Sequence, residues 1–224
     1  MKLFDNFVFI VPARKGSKGI KNKNLVKVKK KKLIEYTLEI LKKIPNKRKY
    51  VLSDSTLVKQ IAKKYNVNTS YIRTKELSKD NTKLIDNLCH FDKFIRNKIK
   101  FKYYVVLQPT SPLRKYKDIE HSIKKILKNK SESLFSISKS IEHPNESIFI
   151  KNNKINYFQK KRISLRQNYK SSYFINGAIY IFNKKLLKKK KMISIKFHTI
   201  YEMPKKRSLD LDDYQDLDII KKII

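Results

Sequence analysis

FVFIVPARKGSKGIKNKN, residues 7–24, is the stretch that decides the fold. Its first five residues are all apolar, β-branched or aromatic, as a strand buried on both faces requires. A basic loop follows, carrying Gly16 and Gly19, two of only three glycines in the 224-residue chain. The third, Gly177, lies in FINGAIYIF (174–182), and two of the scarce alanines, Ala13 and Ala178, fall in the same two stretches. In a chain so poor in glycine, these are the places where backbone must turn sharply or approach a ligand closely.

Outward from this strand, the pattern alternates. LIEYTLEILKKI (33–44) spaces its apolar residues as a helix does and is closed by Pro45. A strand at 49–55, a helix at 56–65, a short strand near 67–72, a helix over about 81–98 and the strand FKYYVVLQ (101–108) are expected next. Helix 116–129, strand 134–139, strand AIYIF (178–182) and a last helix over 214–223 complete the series. Strand, crossover helix and strand in repetition predict an α/β fold: a Rossmann-like, mostly parallel sheet flanked by helices. Residues 140–172 break the rhythm with polar, asparagine-rich sequence and read as an inserted β-rich arm of a single domain spanning 1–224.

Composition narrows the functional classes. The formal net charge is +36, but only eight of the 55 basic residues are arginine, and abundant Lys, Ile, Asn, Tyr and Phe is what A/T-rich codons supply. A basic nucleic-acid-binding protein is the competing class. The lysines are spread along the whole length with no helix-turn-helix, zinc-finger or RNP-like pattern, so no specific nucleic-acid partner is expected. The run KVKKKK (27–32) resembles a nuclear address, yet similar runs recur at 187–191. FVFIV is far shorter than the roughly 20 residues of a membrane span. With the lone Cys89 and no signal-peptide pattern, a cytoplasmic protein is expected.

Two motifs carry chemistry. The loop after the first strand occupies the position where open α/β sheets bind ligands, and Arg14, Lys18, Lys21 and Lys23 crowd it with positive charge. Inward-turning amides and cations make a cradle for a polyphosphate, although neither the Walker nor the GxGxxG spacing is present. SLDLDDY (208–214) alternates Leu209 and Leu211 with Asp210 and Asp212, so that it reads as a strand end with both carboxylates on one face. Adjacent like charges call for a cation, and hard oxygen donors suit Mg²⁺ bound jointly with phosphates. Asp213 is read instead as the cap of the following helix.

PARKGSKGIKNKN, LQPTSPLR (107–114), FINGAIYIF and SLDLDD, in this order, resemble the acylneuraminate cytidylyltransferases, the CMP-sialic acid synthetases. That resemblance implies a nucleotide-binding sheet, a dimerisation arm late in the chain and a Mg²⁺-dependent reaction of CTP with a nine-carbon α-keto acid sugar. It implies a homodimer. It also places Arg14 and Lys23 at the phosphates with Asn24 beside them, Arg73 near the nucleotide, and Gln108 on the sugar. Arg166, ten positions before Asn176, corresponds to the family's substrate-reaching arginine, and Asp210 and Asp212 match its metal aspartates. Arg14, Lys23, Gln108 and Asp210 are thereby the expected catalytic set, with Lys18, Asn24, Arg73, Arg166 and Asn176 on substrate. Phe174 stands where some members carry arginine, and Lys83 and Leu84 where some carry serines. Legionaminic and pseudaminic acid, which share the carboxylate and carbon frame, are the alternative sugars.

Overall fold

The structure, a computed structural model, describes residues 3–17, 19–158, 165–188 and 198–224, with the side chain of Lys188 excepted. Its elements in chain order are β1 (Phe7–Pro12), β2 (Lys27–Val28), β3 (Lys31–Lys32), α1 (Leu33–Lys43), β4 (Lys49–Leu52), α2 (Thr56–Lys64), α3 (Leu84–Ile95) and β5 (Tyr103–Val106). There follow α4 (Tyr116–Lys128), β6 (Ser133–Lys139), β7 (Ile148–Lys151), β8 (Lys154–Tyr157), β9 (Tyr173–Asn183), α5 (Lys184–Lys188), β10 (His198–Glu202) and α6 (Tyr214–Ile223).

Six strands form the central sheet in the order β10-β6-β9-β5-β1-β4. β1 pairs in parallel with both β4 and β5, and β10 with β6. β9 runs antiparallel to both its neighbours, which makes the sheet mixed but mostly parallel. The strand–helix alternation breaks here, at the arm expected over 140–172, because the chain returns from β6 to β9 with no crossover helix among the described residues. The chain leaves β1 for β4 on one side and reaches β5 on the other, so the order reverses beside β1, the place where such sheets open a crevice.

Alternation along β1 divides the core. Phe7, Phe9 and Val11 pack with Ile34, Leu38 and Leu41 of α1 and Ile119 and Ile123 of α4. Val8 and Ile10 face the other side, against Leu88, Phe91 and Ile95 of α3. Both faces are covered, which is why β1 reads as an unbroken apolar run. The lysine run at 27–32 is the β2–β3 hairpin, whose Val28 is fully buried. No strand forms at 67–72; a single bridge, Tyr50 to Asn68, stands in its place. The arm contributes the antiparallel pair β7–β8.

A third, smaller apolar cluster joins Ile20, Val28 and Leu33 to Leu211, Leu217 and Ile220. It ties the loop after β1 to the segment before α6. That segment is extended but belongs to no strand, a correction to the reading of SLDLDDY as a strand end. Asp213 caps α6 as expected: its side chain accepts from Asp216 N at 2.9 Å, and Asp216 returns the bond to Asp213 N.

The glycines differ in purpose. A Cβ on Gly19 would overlap the backbone carbonyl of Asp212, whereas one on Gly16 would meet nothing within 4 Å. Gly19 is therefore required by a close approach of two backbone segments. Backbone cannot yield as a flexible side chain can, so Gly19→Ala is expected to lower unfolding stability by about 1–3 kcal/mol. Gly16→Ala should stay within about 0.5 kcal/mol of the parent. Urea denaturation of the two variants measures this, and an unchanged midpoint for Gly19→Ala would contradict the close approach.

Candidate active site

A cleft of about 260 Å³ opens at the carboxyl ends of β1 and β5. Arg14, Gly16, Ser17, Lys23 and Asn24 of the first loop line one wall, Gln108, Pro109 and Thr110 another, and Arg73, Asp80, Thr82, Leu84 and Asn87 the third. Arg14, Lys23, Asn24, Arg73 and Gln108, all singled out from sequence, thus meet around one cavity. Lys18 lies outside the described residues.

The first loop is stitched to itself. Ser17 Oγ donates to Ile20 O at 2.6 Å and accepts from Lys23 N at 3.1 Å. Asn22 takes a left-handed conformation (φ 54°), which asparagine tolerates, and starts a short 3₁₀ turn over Lys23–Leu25. Asn24, buried, donates from Nδ2 to Arg14 O at 2.9 Å and so fixes the backbone beneath the arginine. Lys15 N is held by Asp54 Oδ1 at 2.8 Å.

The cations are held by internal anions. Arg14 pairs with Asp80 across the cleft mouth. Lys23 Nζ donates to Leu211 O at 2.8 Å and to Asp212 Oδ1 at 3.0 Å. Arg73 is buried, with Nε and Nη2 both on Leu77 O at 3.1 and 2.7 Å. Burial lowers its pKa, the charge of Asp54 opposes that shift, and nearby Arg14 adds to it. Cations concentrated in this way, two of them balanced only by exchangeable carboxylates, suit a polyanionic ligand.

Asp210 sits at the back of this wall. Ser111 Oγ donates to its Oδ1 at 3.2 Å, and burial raises its pKa against a hydrogen bond from Thr110. The charge of Asp212 pushes the same way as burial. A partly buried carboxylate with a like-charged neighbour is the donor set that a hard divalent cation satisfies. Among the described residues no cluster of three or more His, Cys, Asp or Glu side chains forms a self-sufficient metal cage. These two carboxylates fit a cation whose remaining ligands come from substrate and water, as is usual for Mg²⁺.

A β-bulge places the third glycine. The register between β6 and β9 slips from Phe135–Tyr180 to Ile137–Ile175, and Gly177 lies in the loosened segment at φ +72°. Its open side faces Gln108 Oε1 and Asp210 Oδ2, which a Cβ there would approach to 3.4 and 3.8 Å. Asn176 is buried and braces the bulge: its Oδ1 accepts from Ser136 Oγ and Ala178 N, and its Nδ2 donates to Ser208 Oγ at 3.0 Å. The structure gives this amide a bracing position behind the site and leaves it outside the cleft wall. Asp210 also lines a second hollow of about 140 Å³, together with Lys139, Phe174, Lys205 and Leu209.

Arg166 stands apart. It lies on the arm with its side chain 81% exposed and Nε 3.6 Å from Glu146. Within this chain it does not reach the cleft.

Several residues of the site escaped sequence reading. Arg114, the last residue of LQPTSPLR, is fully buried and bonds Gln108 O at 3.2 Å, Ala178 O at 2.6 Å and Thr37 Oγ1 at 2.8 Å. Burial pushes its pKa down to about 10, still protonated at neutral pH. Asp54, Asp80 and Asn87 were missed as well. The signal for Asn87 was available: it is a polar residue on the buried stripe of α3, among Leu84, Leu88 and Phe91.

Comparison with known proteins agrees with this geometry. The chain is 29% identical over 214 residues to the N-acylneuraminate cytidylyltransferase of Streptococcus agalactiae serotype III (strain NEM316), covering 93% of this chain and 51% of that protein. It therefore spans about half the length of that relative. It is 28% identical over 219 residues to the pseudaminic acid cytidylyltransferase of Campylobacter jejuni subsp. jejuni serotype O:2, covering 95% of this chain and 93% of that one. The fold matches that of a CMP:2-keto-3-deoxy-manno-octonic acid synthetase solved with CTP, at TM-score 0.71 and 17% identity over 97% of each chain. The family profile described as cytidylyltransferase matches residues 8–223, nearly the whole chain, and the protein belongs to that family.

Proposed function

We propose that this protein transfers CMP from CTP to the anomeric hydroxyl of a sialic-type nine-carbon α-keto acid, N-acylneuraminate or a close relative, releasing pyrophosphate. One observation carries the reading: Gly177 lies against both Gln108, which lines the cationic cleft, and Asp210, which lines a second hollow. A nucleotide in the first and a sugar toward the second would bring α-phosphate and anomeric oxygen together beside Gln108 and Asp210. Positioning of this kind supplies much of the acceleration in phosphoryl chemistry.

Arg14 and Lys23, with the loop amides, neutralise the triphosphate as negative charge grows on the departing pyrophosphate. For this Arg14 must exchange Asp80, and Lys23 must exchange Asp212, for phosphate oxygens. Asp210 and Asp212 would hold Mg²⁺, which when bound supplies charge stabilisation on the phosphates. The Gln108 amide, beside Gly177 in the cleft wall, orients the sugar. Phe174 in the second hollow gives that subsite an apolar wall, suited to deoxy and acyl substituents. The near full-length match to the Campylobacter relative keeps pseudaminic acid, and with it legionaminic acid, as alternative sugars. No described helix is long and apolar enough to cross a membrane.

The arm completes the reading as a homodimer contact. Ile148, Ile150 and Ile155 of β7–β8 are exposed, Ile150 at 71%, and so are Tyr173 and Ile175 of β9. Such a surface gains most by burial against its twofold mate. In the dimer, Arg166 of one subunit reaches the sugar carboxylate in the other subunit's site, a geometry that a planar guanidinium suits.

Pyrophosphate release from CTP with a panel of nonulosonic acids tests the reaction. Turnover is expected with at least one of them, and Asp210→Asn should lower it at least about 100-fold while circular dichroism stays unchanged. Turnover near the parent rate in that variant would remove Asp210 from the mechanism. For the arm, sedimentation should show a dimer, and Arg166→Ala should raise the KM for sugar on the order of 10-fold or more with little change in KM for CTP. An active monomer, or an unchanged sugar KM, would contradict the shared site.

A further inference from the structure

Asn87 holds a buried hydrogen-bond acceptor that no described residue uses. The residue is 2% exposed and lines the cleft. Its Nδ2 donates to Leu77 O at 2.9 Å, which fixes the orientation of the amide, and its Oδ1 is buried without a partner. A buried carbonyl oxygen left unpaired costs stability, and such groups are rare enough that each calls for an explanation. Among the described cleft residues no other buried side-chain acceptor is in this condition.

Its neighbours suggest what it awaits. Arg73 bonds the same Leu77 carbonyl through Nε and Nη2, so Asn87 and Arg73 are anchored side by side on one backbone atom. Together they present a cation that donates and an amide oxygen that accepts. Cytosine and uracil differ in just this respect: cytosine carries acceptors at O2 and N3 and a donor amine at C4, whereas uracil carries a donor at N3 and an acceptor at O4. With Arg73 at the O2/N3 edge and Asn87 at the C4 substituent, this donor and acceptor match the first pattern and oppose the second.

Resting on the cytidylyltransferase reading, we infer that Asn87 is the specificity-determining residue for the base, its Oδ1 accepting from the exocyclic 4-amino group of the nucleotide. Leu84 and Thr82 close the same wall, so the bond forms away from bulk water, where rejection of the wrong partner is strongest. The role is one of recognition. The reacting phosphate is assigned to Arg14 and Lys23, on the wall formed by the first loop.

Equilibrium binding tests this without need of the sugar. Calorimetry on the full chain with Mg²⁺ compares CTP, UTP and the CTP analogue with hydrogen in place of the 4-amino group. The parent is expected to bind the analogue about 10- to 100-fold more weakly than CTP, and UTP more weakly still. Asn87→Leu should lose that discrimination, its affinity for CTP falling to the level of the analogue while its affinity for the analogue stays near the parent's. The parent-protein comparison involves no substitution and is immune to misfolding of the variant. Equal weakening of all three ligands in Asn87→Leu, or equal parent affinity for CTP and the analogue, overturns the assignment while sugar-dependent pyrophosphate release still upholds the reaction. Equal parent affinity for CTP and UTP, with no pyrophosphate released, overturns both.

Discussion

The contact of Gly19 with the carbonyl of Asp212 is the constraint on which the site depends. It brings the loop after the first strand against the segment before the last helix, nearly 200 residues later. Only a residue without a Cβ allows the approach. Around it Ile20 and Leu211 bury their side chains in one small cluster, and full burial of a residue such as Leu211 stabilises by about 1.5–3 kcal/mol. Lys23 spans the junction to Leu211 O and Asp212. The polyphosphate loop and the carboxylate pair are thus positioned by one junction, and a shift in either moves both.

A second constraint faces it from the core. The buried guanidinium of Arg114 gathers the carbonyls of Gln108 and Ala178 and the hydroxyl of Thr37, joining the end of β5, the bulge of β9 and α1. A buried cation is costly to desolvate, and these three bonds offset part of that cost, while its Nε has no partner among the described residues. The return is local precision: Gln108 and Gly177 face one another because their backbones share this cation directly or through Ala178. The bulge is braced from the other side by Asn176 with Ser136 and Ser208. Loops that would be mobile on their own are held from both ends, as a site that works by positioning requires.

Most of the fold was legible because its periodicities are plain. β1 is an unbroken apolar run since both faces are covered, and α1, α2 and α4 fall within one residue of their expected bounds. The direction of β9 was not legible, since an apolar strand carries no mark of parallel or antiparallel pairing. Residues 67–72 were misread because Val67, Thr69, Tyr71 and Ile72 are β-prone residue types, yet only Asn68 bridges to the sheet. In the site, scarcity was the guide: three glycines led to the loop and to the stretch 174–182, and the alternation of leucine with scarce aspartates in 208–214 led to the carboxylates. It misled on purpose, since Gly19 approaches backbone where a ligand was expected. Arg114, Asp80 and Asn87 gave weaker signals. A common residue type acquires its role only when the fold buries or pairs it. Arg166 marks another limit, because its partner is proposed to lie on a second chain.

A crystal structure of the protein with CTP and Mg²⁺ tests the central claim most directly, that the two ion pairs of the cleft hold the places of phosphate and metal. The expected result has the triphosphate along residues 14–24, Arg14 turned from Asp80 to phosphate, Lys23 released from Asp212, and the metal on Asp210 and Asp212. A nucleotide bound elsewhere on the lysine-rich surface, with Arg14–Asp80 and Lys23–Asp212 intact, would contradict it.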